Sequence, residues 1–287
     1  MPHTDKPIVV AGATGHQGGA VARHLLLEGW PVRAMTRNPN SPEAEALAAR
    51  GAQIVRADMD EPSSLPPILK GAYGVFSVQN FWEVGYEREV AEGKALADAA
   101  SRADVAHFIY SSVGGAERKT GVAHFESKWQ IEQHLVDLDM PHTIFRPVFF
   151  MDNFLGMRRS IRDGKIEMAL REDTKLQMIA VDDIGAFVTM AFDDRDQWLY
   201  TQTELAGDEL TIPQVARRLS AMLDREVQYV EIPMEQAMQE NKERAEMWQW
   251  FNNYGYEADI AWLREQYPPL RTFDQWVEQY WPVAVAV

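Results

Sequence analysis

The sequence contains no cysteine. Disulfides, thiol catalysis and cysteine-ligated zinc are therefore excluded, although that absence alone does not fix the compartment. Positive charge is scarce: 28 Lys and Arg stand against 43 Asp and Glu, for a formal net charge of −15. With a sequence pI of about 4.9, the chain lacks the basic face that neutralises a phosphate backbone, which argues against nucleic acid as a direct partner. Long apolar runs are missing as well. The N-terminus, Met1-Pro2-His3-Thr4-Asp5-Lys6, leads straight into a strand pattern. This predicts no signal peptide, no membrane contact and a cytoplasmic protein. No Gly-x-Ser-x-Gly elbow occurs, which argues against a hydrolase. His3, His16, His24, His107, His134 and His142 show no paired ligand spacing, so no metal is expected. Internal repeats and low-complexity tracts are absent.

What is present is enough for a large core. The chain has 287 residues and is 46% hydrophobic, which suits one or two lobes. Its most informative stretch runs from Val9 to Ala22. A short apolar strand, Pro7-Ile8-Val9-Val10, ends in Gly12, Gly15 and Gly18, and a helical pattern with Val21 and Leu25 on one face follows at once. A strand, a tight turn and a helix N-terminus in that order form an anion site. The backbone must approach a pyrophosphate closely, and a Cβ at the tightest points would hold the phosphate away. Helix-terminal phosphate sites need little positive charge, so an acidic chain can still bind a dinucleotide. The spacing is Gly-x-x-Gly-x-x-Gly, the form found in short-chain dehydrogenases.

Strands and helices alternate through the first half of the chain, the signature of a parallel sheet covered on both faces. Strand two reads as Pro31 to Thr36, strand three as Gln53 to Ala57, strand four as Gly74 to Val78, strand five as His107 to Ser111 and strand six as Thr143 to Phe145. Ser41 and Pro42 mark an N-cap and first helical position. Long helices are expected over Glu87–Arg102 and His124–Leu138. Past Pro147 the rhythm breaks. Strands are expected at Leu176–Val181 and Val227–Ile232, with helices opening at Asp182-Asp183 and at Thr211–Pro213. The fold class is thus α/β: a doubly wound parallel Rossmann sheet with a smaller C-terminal α+β lobe. The expected domains are 1–150, with part of 176–206 returning to it, and 151–287.

The end of strand two discriminates between NAD and NADP. An acid there would hydrogen-bond the ribose hydroxyls and repel a 2′-phosphate. This chain has Met35-Thr36-Arg37-Asn38-Pro39, with no acid. Arg37 is placed for a charge-assisted contact with a 2′-phosphate, or else is a solvated turn residue. The expected cofactor is NADP(H), with NAD(H) permitted. Asp58, just past strand three, meets the adenine or caps the helix that begins near Pro62-Ser63-Ser64.

Taken together the motifs resemble the NmrA-like family of atypical short-chain dehydrogenases. The carriers are Gly12 to Gly19, Thr36 to Pro39, Asp58, Gln79-Asn80-Phe81-Trp82-Glu83, Tyr110-Ser111-Ser112, His124-Phe125-Glu126-Ser127-Lys128 and Arg146 to Asn153. The resemblance covers nearly the whole chain and implies a cofactor held between a Rossmann domain and a small C-terminal lobe. It implies that Gly12, Ala13, Thr14, Gly15, His16, Gln17 and Gly18 wrap the pyrophosphate. Arg37 and Asn38 would face the 2′-phosphate, and Asp58 and Met59 the adenine. Gln79, Asn80 and Phe81 would line the nicotinamide ribose, Lys128 would bond its hydroxyls, and Phe150, Met151, Asp152 and Asn153 would lie near the nicotinamide. A further lysine of some members is replaced by Ala91.

Whether there is chemistry turns on His124-x-x-x-Lys128. Ordinary short-chain dehydrogenases carry Tyr-x-x-x-Lys, which puts both groups on one helix face: the lysine holds the ribose and lowers the tyrosine pKa, and the tyrosine exchanges the proton. Here the lysine is present and the tyrosine is not. Either His124 replaces it as general acid, with Ser111 or Ser112 orienting a carbonyl, or Lys128 only grips the ribose and His124 caps its helix. The first reading describes an NADPH-dependent oxidoreductase acting on an apolar carbonyl or quinone, the second a redox sensor or regulator; the missing tyrosine favours cofactor binding without the ordinary dehydrogenase chemistry, with the active oxidoreductase as the alternative. The tail, with Trp248, Trp250, Phe251, Tyr254, Tyr256, Trp262, Tyr267, Trp276 and Trp281, forms lobe core, a substrate wall or an interface. Expected partners are the dinucleotide, a small aromatic substrate or a protein, and a second copy in a homodimer.

Overall fold

Ile8-Val9-Val10 has no polar face, and β1 (Ile8–Val10) is buried along its whole length in the interior of a sheet. The computed structural model describes residues 5–281; His3 lies outside them. After β1 come α1 (His16–Leu27), β2 (Val32–Thr36), α2 (Pro42–Ala48), β3 (Gln53–Arg56), α3 (Leu65–Leu69), β4 (Gly74–Ser77), α4 (Phe81–Arg102), β5 (His107–Ser111), α5 (Ala123–Asp137) and β6 (His142–Pro147). There follow β7 (Phe149–Phe150), α6 (Asn153–Gly156), α7 (Arg158–Arg162), β8 (Lys165–Met168), β9 (Lys175–Ile179), α8 (Val181–Asp193), α9 (Arg195–Trp198) and β10 (Gln202–Leu205). The chain then forms β11 (Asp208–Thr211), α10 (Ile212–Leu223), β12 (Gln228–Glu231), α11 (Met234–Glu240), α12 (Lys242–Asn253), α13 (Ile260–Gln266) and α14 (Phe273–Tyr280).

Seven strands form one sheet in the order β10-β6-β5-β4-β1-β2-β3. From β3 through to β6 neighbouring strands all pair in parallel. This is the doubly wound order, and the winding reverses between β1 and β4. The boundaries follow the sequence signals. Ser41 caps α2, its side chain accepting from the Ala44 N–H. The helix expected from Glu87 instead begins at Phe81 and is broken at Gly85, whose φ of 76° and ψ of 179° are not helical. Only glycine adopts that conformation readily, so the pattern in front of it reads as loop.

By its contacts the chain separates into two compact units. The first holds the chain up to Lys119, Ala123–Arg146 and Val181–Thr203. The second holds Thr120–Val122, Pro147–Ala180 and the chain from Glu204 onward. In the first unit α8 lies against α1 at a point where a Cβ on Gly185 would come within 2.9 Å of the Ala20 carbonyl. Trp30 Nε1 donates to Asp193 Oδ1 at 2.7 Å at the far end of the same pair. Gly93 does for α4 and α5 what Gly185 does for α1 and α8: a Cβ there would meet Ile131 at 2.5 Å. Small residues thus set how closely these helices approach.

The second unit contains a sheet β11-β9-β7 and a pair β12-β8. Thr211 and Gln214 form a capping box at the start of α10. The aromatic tail is mainly core of this unit. Trp248, Trp250, Phe251, Trp276 and Trp281 are buried, whereas Tyr254 and Trp262 are exposed. Phe273 stacks on Trp276 at 5.6 Å and packs edge-on against Phe154 at 5.5 Å.

The tightest backbone approach in the first unit is at Gly18, where a Cβ would lie 2.3 Å from the Gly12 carbonyl oxygen. Gly18→Ala must therefore push α1 off the turn, and urea unfolding should show a loss of about 1–3 kcal/mol. Gly156→Ala, with nothing within 4 Å of the new methyl, should cost less than about 0.5 kcal/mol in the same assay.

Candidate functional site

The candidate residues of the first unit follow the carboxyl ends of its strands. The turn after β1 and the loop after β4 meet at the switch point: a Cβ on Gly12 would come 3.2 Å from Val78 Cγ1. Open parallel sheets bind their ligands at this place. Gly12 has φ +60°, and Gly15 N–H donates to its carbonyl at 2.8 Å. Gly15 is the N-cap of α1, and among the described residues no side chain caps that end and no acid stands in its first turn. The first N–H groups of a helix without a cap are donors awaiting an acceptor. The three glycines have different duties. Gly12 needs its positive φ, Gly15 opens the helix, and Gly18 is required by the carbonyl of Gly12. At Gly18 the close packing of helix against turn requires glycine by itself, before any ligand is considered. Ala13 N–H reaches the Met35 carbonyl, and Thr14 Oγ1 lies 3.4 Å from Thr36 Oγ1. The side chain of Gln17 accepts from Ser111 Oγ at 2.7 Å.

At the end of β2, Arg37 Nη2 donates to Glu83 Oε1 at 2.5 Å. Both side chains are about half exposed, at 55% and 49%. That hydrogen bond, followed by the Glu83, Asp58 and Glu92 charges, holds the guanidinium above its usual pKa. Asn38 N–H donates to Thr36 Oγ1. Asp58 is held by Ser64, whose hydroxyl accepts from the Asp58 N–H and donates to the Asp58 carbonyl. Its carboxylate accepts from the Asp60 N–H, while the N-cap of the following turn is Glu61. The helix-capping alternative for Asp58 is thereby replaced by a local Asx turn. Beside it Arg88 pairs with Asp60. Glu92 is pushed up to about 7, first by burial and then by the Asp60 charge.

Lys128 Nζ donates to Glu89 Oε1 at 2.7 Å and lies 3.5 Å from the Gln79 carbonyl. Glu89 is fully buried, and its other oxygen accepts from Ser127 Oγ. Gln79 Nε2 donates to Ser77 Oγ at 2.9 Å and touches Met59 Sδ at 3.4 Å, while Gln79 Oε1 is buried without a partner. Ser112 Oγ is likewise buried and unpartnered. Two orphaned polar atoms, a helix end without a cap and a turn made of glycine are what a polar, phosphate-bearing ligand would satisfy. The residues present therefore fit a dinucleotide.

His124 lies inside the first turn of α5 and is buried. Its ring packs against Phe125 at 4.7 Å, Trp82 at 5.1 Å and Phe81 at 5.5 Å. Asn80 is the N-cap of α4, and its side chain makes no capping bond. Tyr110, the tyrosine at the end of β5, does not replace the missing one. It is fully buried, its hydroxyl has no partner, and burial with the Glu89 and Glu132 charges raises its pKa well above the usual value.

Phe150, Met151, Asp152 and Asn153 belong to the second unit. Phe150 pairs with Ile179 in β7, Met151 is buried, Asp152 is the N-cap of α6, and Asn153 is exposed. Ala91 is exposed on α4. Sequence reasoning missed Glu83 as the partner of Arg37 and Glu89 as the partner of Lys128. A signal for Glu89 existed: it shares the buried stripe of α4 with Gly93, Leu96, Ala97 and Ala100, and an acid on such a stripe needs a cation. No spacing could have found Glu83, which is 46 residues from Arg37.

An NAD(P)H azoreductase from Xenophilus azovorans is 33% identical to this chain over 233 residues, covering 81% of this chain and 79% of that protein. The NADPH-dependent quinone oxidoreductase QOR2 from Escherichia coli, solved with NADPH, matches with a TM-score of 0.83 at 22% identity. That match covers 96% of this chain and 100% of that one. NmrA, a negative transcriptional regulator solved with NADP, matches with a TM-score of 0.81 at 21% identity, over 98% of this chain and 97% of that one. At these identities the two structures share the fold. Matched from residue 4 to residue 277, the chain belongs to the NmrA-like family.

Proposed function

We propose that this chain binds a nicotinamide dinucleotide, takes NADP(H) in preference to NAD(H), and transfers hydride to a planar apolar acceptor. The observation that carries the reading is the glycine turn at the switch point, which ends in a helix N-terminus with no side-chain cap. The pyrophosphate is bound at the turn Gly12 to Gly18 by backbone N–H groups other than those of Ala13 and Gly15, which donate within the fold, with His16 and Gln17 at the helix start. Arg37 and Asn38 receive the 2′-phosphate, and Asp58 and Met59 border the adenine. Gln79, Asn80 and Phe81 line the ribose next to the nicotinamide, whose hydroxyls bond Lys128, and Phe150 to Asn153 flank the nicotinamide. The likeness to an azoreductase and to a quinone oxidoreductase supports an acceptor of conjugated, flat shape.

When bound, the dinucleotide supplies the hydride. The chain supplies position and a proton. Glu89 and the Gln79 carbonyl fix the Lys128 ammonium, so its one remaining N–H donor is preorganised. His124 carries the proton on a ring nitrogen, at a site walled by Phe81 and Trp82. Ser111 donates to Gln17 and must turn to reach a carbonyl, whereas Ser112 Oγ has no bond to give up.

A second reading has a specific basis. The tyrosine is absent, Lys128 serves as the structural partner of a buried carboxylate, and the fold is shared with a transcriptional regulator. On that reading the chain senses the NADP(H) ratio and signals to a protein partner, or to a second copy of itself.

Calorimetric titration with NADP⁺, NADPH, NAD⁺ and NADH separates the claims. Arg37→Ala should weaken both NADP forms by about tenfold, the worth of one charge-assisted hydrogen bond, and leave the NAD forms alone. Equal losses for all four would remove Arg37 from the 2′-phosphate. A large gap between oxidised and reduced forms, with no turnover of quinone or azo acceptors, would favour the sensor.

His124→Ala should reduce kcat for NADPH oxidation by 1,4-naphthoquinone by about a hundredfold or more, with NADPH affinity kept. Unchanged turnover would exclude His124 as the proton donor. Lys128 is a poorer target. Removing it strands buried Glu89 at a cost of about 3–5 kcal/mol, so lost activity would not distinguish catalysis from folding.

A further inference from the structure

The end of β2 carries no acid, yet a carboxylate stands there. It comes from α4. Residues 81–84 form a separate helical turn ahead of the break at Gly85, and Glu83 on that turn puts Oε1 2.5 Å from Arg37 Nη2. We propose that Glu83 is a specificity-determining residue of the dinucleotide site: it holds Arg37 when no 2′-phosphate is present and narrows the preference for NADP(H) over NAD(H). The proposal rests on the reading that Arg37 faces the 2′-phosphate.

A 2′-phosphate on Arg37 would meet the Glu83 carboxylate as a like charge, since both bind one guanidinium. Either Glu83 leaves, and its ion pair is lost, or it stays and repels the phosphate. With NAD(H) the opposite holds. A carboxylate beside the adenosine ribose accepts hydrogen bonds from its hydroxyls, the service an acid at the end of strand two provides in NAD-selective Rossmann domains. Glu83 is a donor-free acceptor in that place, reached through space.

The surroundings add to its effect. Arg88, the other arginine of this cluster, pairs with Asp60, and Asp58 and Glu92 also act on Arg37 by charge. The field around Arg37 is therefore acidic on balance, and Glu83 is the acid in contact with it. Because both side chains of the pair are about half exposed, its worth is modest. The effect is a tuning of selectivity, within reach of a binding measurement.

The test is calorimetric titration of NADPH and NADH into four proteins: the unaltered chain, Glu83→Gln, Arg37→Ala and the double variant. Glu83→Gln should tighten NADPH by about two- to fivefold and weaken NADH by about as much, so that the ratio moves by about tenfold. In the Arg37→Ala background the gain for NADPH should shrink, because the part that comes from freeing Arg37 is gone and only the direct repulsion between carboxylate and phosphate remains. An unchanged ratio in Glu83→Gln, with Arg37→Ala still weakening NADPH, overturns the proposal alone. A ratio unmoved by Arg37→Ala, or no dinucleotide binding by the unaltered chain, overturns the underlying reading and the proposal with it. Glu83→Gln alters a half-exposed side chain, so its melting temperature should stay within about 2 °C.

Discussion

The contact between Gly18 and the carbonyl of Gly12 is the constraint on which the first unit depends. It lets α1 start close against the end of β1. From that start the helix N-terminus is aimed at the switch point, and the far end of α1 is fixed by what it meets. Gly185 allows α8 to lie against Ala20, and Asp193 takes the Trp30 indole N–H. One close approach between backbones thus sets the anion-binding end of the helix and, through it, the seat of a segment that returns from late in the chain. Rigid placement of this kind preorganises N–H groups, so that binding an anion needs little rearrangement.

Buried charge performs a second kind of fixing. Glu89 of α4 holds Lys128 and Ser127 of α5. Glu132 of α5 holds Arg146 of β6 through two hydrogen bonds at 3.0 and 2.7 Å, and Arg146 also reaches Glu117 and Gln202. Each carboxylate is fully buried and each has its cation. Pairs of this kind contribute little net stability but penalise every arrangement that separates the partners. They join α4, α5, β6 and β10 in a single register. They also leave Lys128 with two roles, and the structural one is indifferent to whether hydride transfer takes place.

Around Arg37 the charges are exposed and correspondingly weaker. A half-exposed ion pair can be opened by a ligand at small cost. The two ends of the candidate site therefore differ physically: the Lys128 end is buried and rigid, and the Arg37 end is exposed and exchangeable. Cofactor selectivity at such an end is open to single substitutions without loss of fold.

The strand-turn-helix at Gly12 to Gly18, the alternation that builds the sheet, the N-caps at Ser41 and Thr211 and the absence of a tyrosine four residues before Lys128 were all legible in the sequence. Each is a local signal: a period of two or 3.6, a φ that only glycine adopts, or a spacing on one helix face. The breaks in this legibility are of two kinds, local and long-range. The helical turn at residues 81–84 was hidden by Gly85, and β7, β8, β10 and β11 are too short to show a period. The partners of Arg37 and Lys128 stand 46 and 39 residues away. The sequence by itself determined which groups the chain carries and which backbone shapes it can take, because those are properties of neighbouring residues. Only the tertiary structure decided which charges meet, because Coulomb attraction and burial act across space without regard to the order of the chain.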